Sequence, residues 1–192
     1  SFKIFAFLFT AVILLSSCDS DIPVEQLKAK YLKPNSAFID IDGVPVHYIM
    51  EGRMDDSLPI VFIHGTSASL HTWDTLSSLL KTNKKIIRLD LPAFGLTGPN
   101  RLNQYSFNFY NQFLDEFLSK LNVTQCIVAG NSLGGSIAWN YAIASPDKVK
   151  QLILLDASGY PKKDEKGSLG FKLAAIPVLN QALKHISPIS LI

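Results

Sequence analysis

Four short apolar runs constrain this chain more than anything else in it: "IVFIH" from Ile60, "IIRLDLP" from Ile86, "CIVAG" from Cys126 and "QLILLDAS" from Gln151. Each is short for a helix and apolar on both faces, so each reads as a strand covered from two sides. Between them lie stretches of helical period. Ser69 to Leu80 places Leu70, Trp73, Leu76, Leu79 and Leu80 on one face. Ser106 caps a second helix that runs to about Leu121, with Phe109, Phe113, Phe117, Leu118 and Leu121 along its buried stripe. A third helix spans Leu133 to Ser145. Buried strands alternating with amphipathic helices need crossover connections, and so predict an α/β fold with a mostly parallel, doubly wound sheet.

The flanks differ. Residues 37 to 52 read as an antiparallel hairpin: Ile39 and Ile41 alternate with Asp40 and Asp42, Asp42-Gly43 is the turn, and Pro45 argues for an outer strand. The same alternation places His47 on the surface. After Ser158 the alternation stops. "GYPKKDEKGSLG" is a charged loop, and the apolar stretch from Phe171, interrupted by Pro177 and Pro188, resembles the start of an inserted helical lid.

A net charge of +2 over 192 residues, with no basic stripe, gives nucleic-acid binding no support. The two cysteines, Cys18 and Cys126, form no metal-ligand cluster and no readable disulfide framework. The N-terminus carries the apolar run Ile4 to Leu15, short for a membrane span and suited to a secretory signal. Leu15-Ser16-Ser17-Cys18 follows directly and resembles the bacterial lipoprotein cleavage box, in which the cysteine receives lipid. The competing reading is an ordinary signal or short anchor with an incidental cysteine. The lipoprotein reading implies a signal peptide over 1–17, a tether over 18–36, the α/β core over 37–158 and the beginning of the lid over 159–192. It also implies an exported protein held to a membrane of the bacterial cell envelope by a lipid on Cys18.

The strand "CIVAG" runs straight into Gly130-Asn131-Ser132-Leu133-Gly134 and then into a helix. This G-x-S-x-G pattern is weak alone and strong between a strand and a helix. So sharp a bend strains the serine backbone, and side chains at the flanking glycines would collide. The bend lifts the Ser132 hydroxyl clear of the strand, beside a helix N-terminus that favours negative charge. Ser132 would attack an acyl carbon there, with the Leu133 N–H facing the oxyanion. The second donor would be the Thr66 N–H, in the His64-Gly65 turn after an earlier strand. His64 is read as packing beneath that turn, and Asp90 as anchoring the turn after its own strand. The competing reading of the whole motif is a glycine-rich turn with a capping serine.

With His64-Gly65-Thr66, "LDLPAFGLTGP" (Leu89 to Pro99), "GNSLGG" (Gly130 to Gly135) and "LILLDASGYP" (Leu152 to Pro161) in this order, the chain resembles the α/β-hydrolase superfamily from about Phe38 onward. Ala93 departs from the commoner glycine at its place. The resemblance implies hydrolysis of esters or related small acyl compounds through a covalent acyl-enzyme, with no metal or organic cofactor. Serine at 132, where dehalogenases and epoxide hydrolases carry aspartate, argues against those two activities. The family places its catalytic acid and histidine after Ser132, on later strands. Here Asp156 reads as a structural carboxylate or as that acid, and His185, in the lid, is a poor base. The resemblance therefore implies that the last strands, the acid and the base lie beyond Ile192, and that residues 1–192 alone are poorly soluble and inactive. The rival from another class is a membrane-anchored lipoprotein that uses the fold as a non-enzymatic binding scaffold.

Overall fold

The computed structural model describes residues 22–159. The signal segment, Cys18, His185, and the lid residues Tyr160 and Phe171 lie outside them. Six strands form one sheet: β1 (Ser36–Ile41), β2 (Val44–Gly52), β3 (Ile60–Ile63), β4 (Lys85–Leu89), β5 (Cys126–Asn131) and β6 (Val149–Leu155), in the order β1-β2-β4-β3-β5-β6. The β1–β2 and β2–β4 pairs are antiparallel, and β4, β3, β5 and β6 run parallel. The helices are α1 (Val24–Tyr31), a 3₁₀ turn (Leu70–Trp73) leading into α2 (Asp74–Leu80), α3 (Phe107–Lys120) and α4 (Leu133–Ala144). This is the predicted mostly parallel α/β sheet with an N-terminal hairpin.

The uniformly apolar strands supply two cores by simple alternation. Val61 and Ile63, Ile87 and Leu89, and Cys126 and Val128 face α3 and α4, meeting Phe113, Phe117, Leu118, Ile137 and Tyr141. Ile60 and Phe62, Ile86, and Ile127 and Ala129 face the other way, against Trp73, Leu76 and Leu80. Residues one apart on a strand point to opposite faces, so a strand buried on both sides is apolar at nearly every position; the exception is Arg88 on β4, buried and paired with Glu51 and Asp74. Ser106 caps α3 as the sequence suggests, its hydroxyl accepting from the Phe109 N–H. The hairpin turn has φ +51° at Asp42 and +74° at Gly43, the mirror-image turn whose twist matches paired strands.

Several expectations change. The 3₁₀ turn winds at three residues per turn, so the apolar face drifts and Leu79 ends 69% exposed. Pro45 lies on β2, which is second from the edge. It is tolerated because β2 pairs with β4 only from Tyr48 onward, which leaves Pro45 a single partner, Asp40. His47, expected at the surface, is fully buried beneath the loop after β4. Among the described residues β6 is an edge strand, and Leu152 to Leu155 are all exposed.

Ala93 sits at φ +70° with its N–H bonded to the Gly98 carbonyl. A Cβ in this region costs about 1–2 kcal/mol, and glycine costs about 0.5–1 kcal/mol in chain entropy. Relief of strain is the larger of the two. Ala93→Gly should therefore raise stability by about 0.5 kcal/mol, read as a higher urea midpoint at unchanged slope.

Candidate active site

Ser132 stands where β5 ends and α4 begins, with φ +51° and ψ −116°. A non-glycine residue so far from the favoured regions stores about 1–3 kcal/mol and persists only if its surroundings leave no alternative. Here they do not. A Cβ at Gly130 would run into the backbone of Gly134, and one at Gly134 would run into the carbonyls of Ile63 and His64. The first turn of α4 is thus pressed against both β5 and the end of β3. The Ser132 N–H donates to the Leu155 carbonyl at 3.1 Å, and the Ser132 carbonyl accepts from the Ser136 and Ser158 amides, each at 3.1 Å. The Ser132 side chain caps no helix amide, which leaves the hydroxyl for other work.

The turn after β3 lies alongside. A Cβ at Gly65 would be 3.1 Å from Ser132 Cβ, so the chain carrying His64, Gly65 and Thr66 passes directly beside the serine. Leu133 follows Ser132 at the first position of α4. Among the described residues neither the Thr66 nor the Leu133 N–H donates to a protein acceptor. Both amides stand at the same end of the sheet as the hydroxyl, with no acceptor among the described residues.

His64 is buried, and its hydrogen bonds define its form. Nε2 accepts from the Leu91 N–H at 3.0 Å, so Nδ1 carries the proton and donates to the Gly65 carbonyl at 2.8 Å. Burial pushes its pKa below the ordinary value, against the opposing pull of that carbonyl and of Asp90. It packs beneath the turn, as read from the sequence, and both its nitrogens are occupied. Asp90 is also an anchor, and a larger one than expected. Its buried carboxylate accepts from the Leu70 N–H at 2.7 Å and the Leu96 N–H at 2.8 Å, and it meets His47 Nδ1 at 2.7 Å. His47 Nε2 in turn lies 2.8 Å from the Ser36 hydroxyl. His71 is tied to Asp74 and to the Tyr31 carbonyl. Asp156, directly after β6, has φ +46° and an exposed side chain that makes no hydrogen bond among the described residues. Cys126 is a buried free thiol whose pKa burial raises to about 11, consistent with a packing role.

The sequence reading missed the support around the elbow. The Ser136 hydroxyl and the Trp139 indole N–H both reach the Ser158 carbonyl, which ties the turn after β6 to α4. The available signal was a serine four residues after Ser132, at a place where the helix faces the core.

A family model described as alpha/beta hydrolase fold matches residues 59–174. Over 126 residues the chain is 32% identical to an uncharacterized hydrolase, YugF, of Bacillus subtilis, covering 64% of this chain and 45% of that protein. It is 27% identical over 116 residues to epoxide hydrolase 3 of Xenopus tropicalis, covering 60% of this chain and 31% of that protein. The chain thus spans less than half the length of these curated relatives. The crystal structure of a bacterial membrane phospholipase A superposes with a TM-score of 0.67 at 22% identity, over 86% of this chain and 55% of that one.

Protonating His64 would place a charge where burial opposes it. Its folded pKa lies below the ordinary 6.5, so its contribution to stability is complete above about pH 6.5 and is lost as pH falls from there toward the folded value. Chemical denaturation between pH 7.5 and 5 should show stability falling by up to about 1.4 kcal/mol per pH unit from this group. His64→Gln should flatten that slope.

Proposed function

The chain belongs to the alpha/beta hydrolase fold family, and on that premise we propose that the full-length protein is a serine hydrolase acting on carboxylic esters or related acyl compounds through an acyl-enzyme on Ser132. One observation carries the reading. A serine is held in strained geometry on a strand-to-helix bend, its hydroxyl free of capping, beside two amides that meet no acceptor among the described residues. A binding scaffold has no use for that strain. A nucleophile gains exposure and a helix N-terminus from it.

In the proposed reaction Ser132 Oγ bonds to the acyl carbon while the carbonyl electron pair moves onto oxygen. That oxyanion accepts hydrogen bonds from the Thr66 and Leu133 amides. The hydroxyl proton passes to a histidine base and then to the departing alkoxide as the tetrahedral intermediate collapses. Water, activated by the same base, releases the acid. His47, His64 and His71 all hold structural hydrogen bonds away from this role. His185 lies outside the described residues, and we propose, from the order of the family's triad, that the base and its orienting acid lie beyond Ile192. We also propose that the protein is exported and held at a membrane by a lipid on Cys18, a reading supported by the apolar run and Leu15-Ser16-Ser17-Cys18.

A fluorophosphonate probe should label full-length wild type on Ser132 and leave Ser132→Ala unlabelled, as read by mass spectrometry of the modified peptide. Residues 1–192 alone should hydrolyse p-nitrophenyl acetate on the order of 10⁶-fold more slowly than the full-length protein, the cost of losing a base. Ready turnover by residues 1–192, abolished by Ser132→Ala, would overturn the placement of the base.

A further inference from the structure

The carbonyl of Ser132 and the N–H of Leu133 belong to one peptide unit. That unit is planar and trans, so its C=O and N–H point in opposite directions and neither turns without the other. Whatever holds the Ser132 carbonyl therefore aims the Leu133 N–H.

Two amides hold it, those of Ser136 and Ser158, and the Ser136 hydroxyl makes a longer contact with it at 3.5 Å. The Ser136 amide makes the first hydrogen bond of α4 and comes with the helix. The Ser158 amide comes from outside, in the turn after β6, and its position has its own supports. The Ser158 carbonyl accepts from the Ser136 hydroxyl at 2.7 Å and from Trp139 Nε1 at 3.3 Å. Those side chains lie three residues apart and so project from the same face of the helix. The turn is seated closely: Gly135 leaves no room for a Cβ against Ala157, and Gly159, at φ +88°, lies over the Trp139 ring. Ser136 is 3% exposed, so its hydroxyl has no solvent partner to fall back on.

We propose that Ser136, acting with Trp139 through Ser158, is a positioning residue that aims the Leu133 N–H at the oxyanion formed on Ser132. This rests on Ser132 being the acyl nucleophile, as proposed above. The Ser136 hydroxyl fixes the Ser158 carbonyl, the Ser158 amide fixes the Ser132 carbonyl, and the rigid peptide carries that direction to Leu133. Hydrogen bonds weaken steeply as donor and acceptor lose alignment. Loss of a whole oxyanion donor costs about 10²–10³ in turnover, so a misaimed donor should cost about tenfold.

The effect belongs to the transition state and leaves ground-state binding alone, which separates it from a general packing role. The test uses full-length wild type, Ser136→Ala and Trp139→Phe, the last removing only the indole N–H. Active sites are titrated with fluorophosphonate, p-nitrophenyl acetate gives kcat and KM per titrated site, and an alkyl trifluoromethyl ketone reports affinity for a tetrahedral oxyanion adduct. Ser136→Ala should lower kcat about tenfold and weaken the ketone about tenfold, with KM within twofold, and Trp139→Phe should move both in the same direction by about threefold. Unchanged kcat per titrated site, or a fall in kcat with ketone affinity intact, overturns the proposal. If Ser136→Ala does not fold, Trp139→Phe carries the same two outcomes. Wild type that takes up no fluorophosphonate on Ser132 brings down the nucleophile reading and this one together. Labelled wild type with unaltered variants brings down this one alone.

Discussion

Backbone meets backbone where α4 begins, and the rest of the site follows from that contact. Gly134 rests against the carbonyls of Ile63 and His64, with no room for even a methyl group between them. Were the helix to retreat, Ser132 could relax into an ordinary region, and the bend would open. The sheet prevents it. β3 and β5 are parallel neighbours, with Ile63 paired to Gly130, so the two strands end side by side. Their following turns are therefore adjacent, which is why Gly65 and Ser132 touch. Ser132 and the amide turn after β3 are brought together by strand order alone, before any side chain is specified.

The neighbouring loops depend on a single carboxylate. Asp90 follows β4 and takes amide hydrogen bonds from the loops after β3 and β4, together with the imidazole of His47 on β2. A buried carboxylate is costly unless it is hydrogen-bonded, and both oxygens of this one are engaged, by three partners. Its value lies in geometry, since three chain segments converge on one point near the carboxyl edge of the sheet. His64 does similar work over a shorter span, linking the Leu91 amide to the Gly65 carbonyl. Arg88, paired with Glu51 and Asp74, adds a further tie by donating to the Leu70 carbonyl at 3.4 Å.

Much of this was legible in the sequence because it is written in period and sterics. Apolar runs such as Ile60 to Ile63 admit only a strand with two covered faces, and Ser106 announces the start of α3. The Gly130–Gly134 pattern states its own backbone requirement. What stayed hidden depends on contacts across long sequence separations. His47 alternates like a surface residue, and nothing near it shows that Asp90, forty-three positions later, will bury it. Ser136 looks like an ordinary small helix residue until the turn after β6 brings Ser158 over it. The 3₁₀ start of the second helical stretch was equally unreadable, since the apolar spacing of Leu70, Trp73 and Leu76 suits both kinds of helix. Local pattern fixes elements, and the polar links between distant turns become visible only once those elements have been packed.

The strand order has a further meaning in time. β3 lies between β4 and β5, and its partner on β5 begins more than sixty residues later in the chain. The elbow also needs the Leu155 carbonyl and the Ser158 amide, which come later still. Contacts of such wide separation close slowly, because loop entropy is lost before they return any energy. On a ribosome the hairpin and β4 would be in place long before Ser132 could be bent. Most of the sheet would then assemble around an unstrained serine, and the strained bend at Ser132 would be among the later features to form.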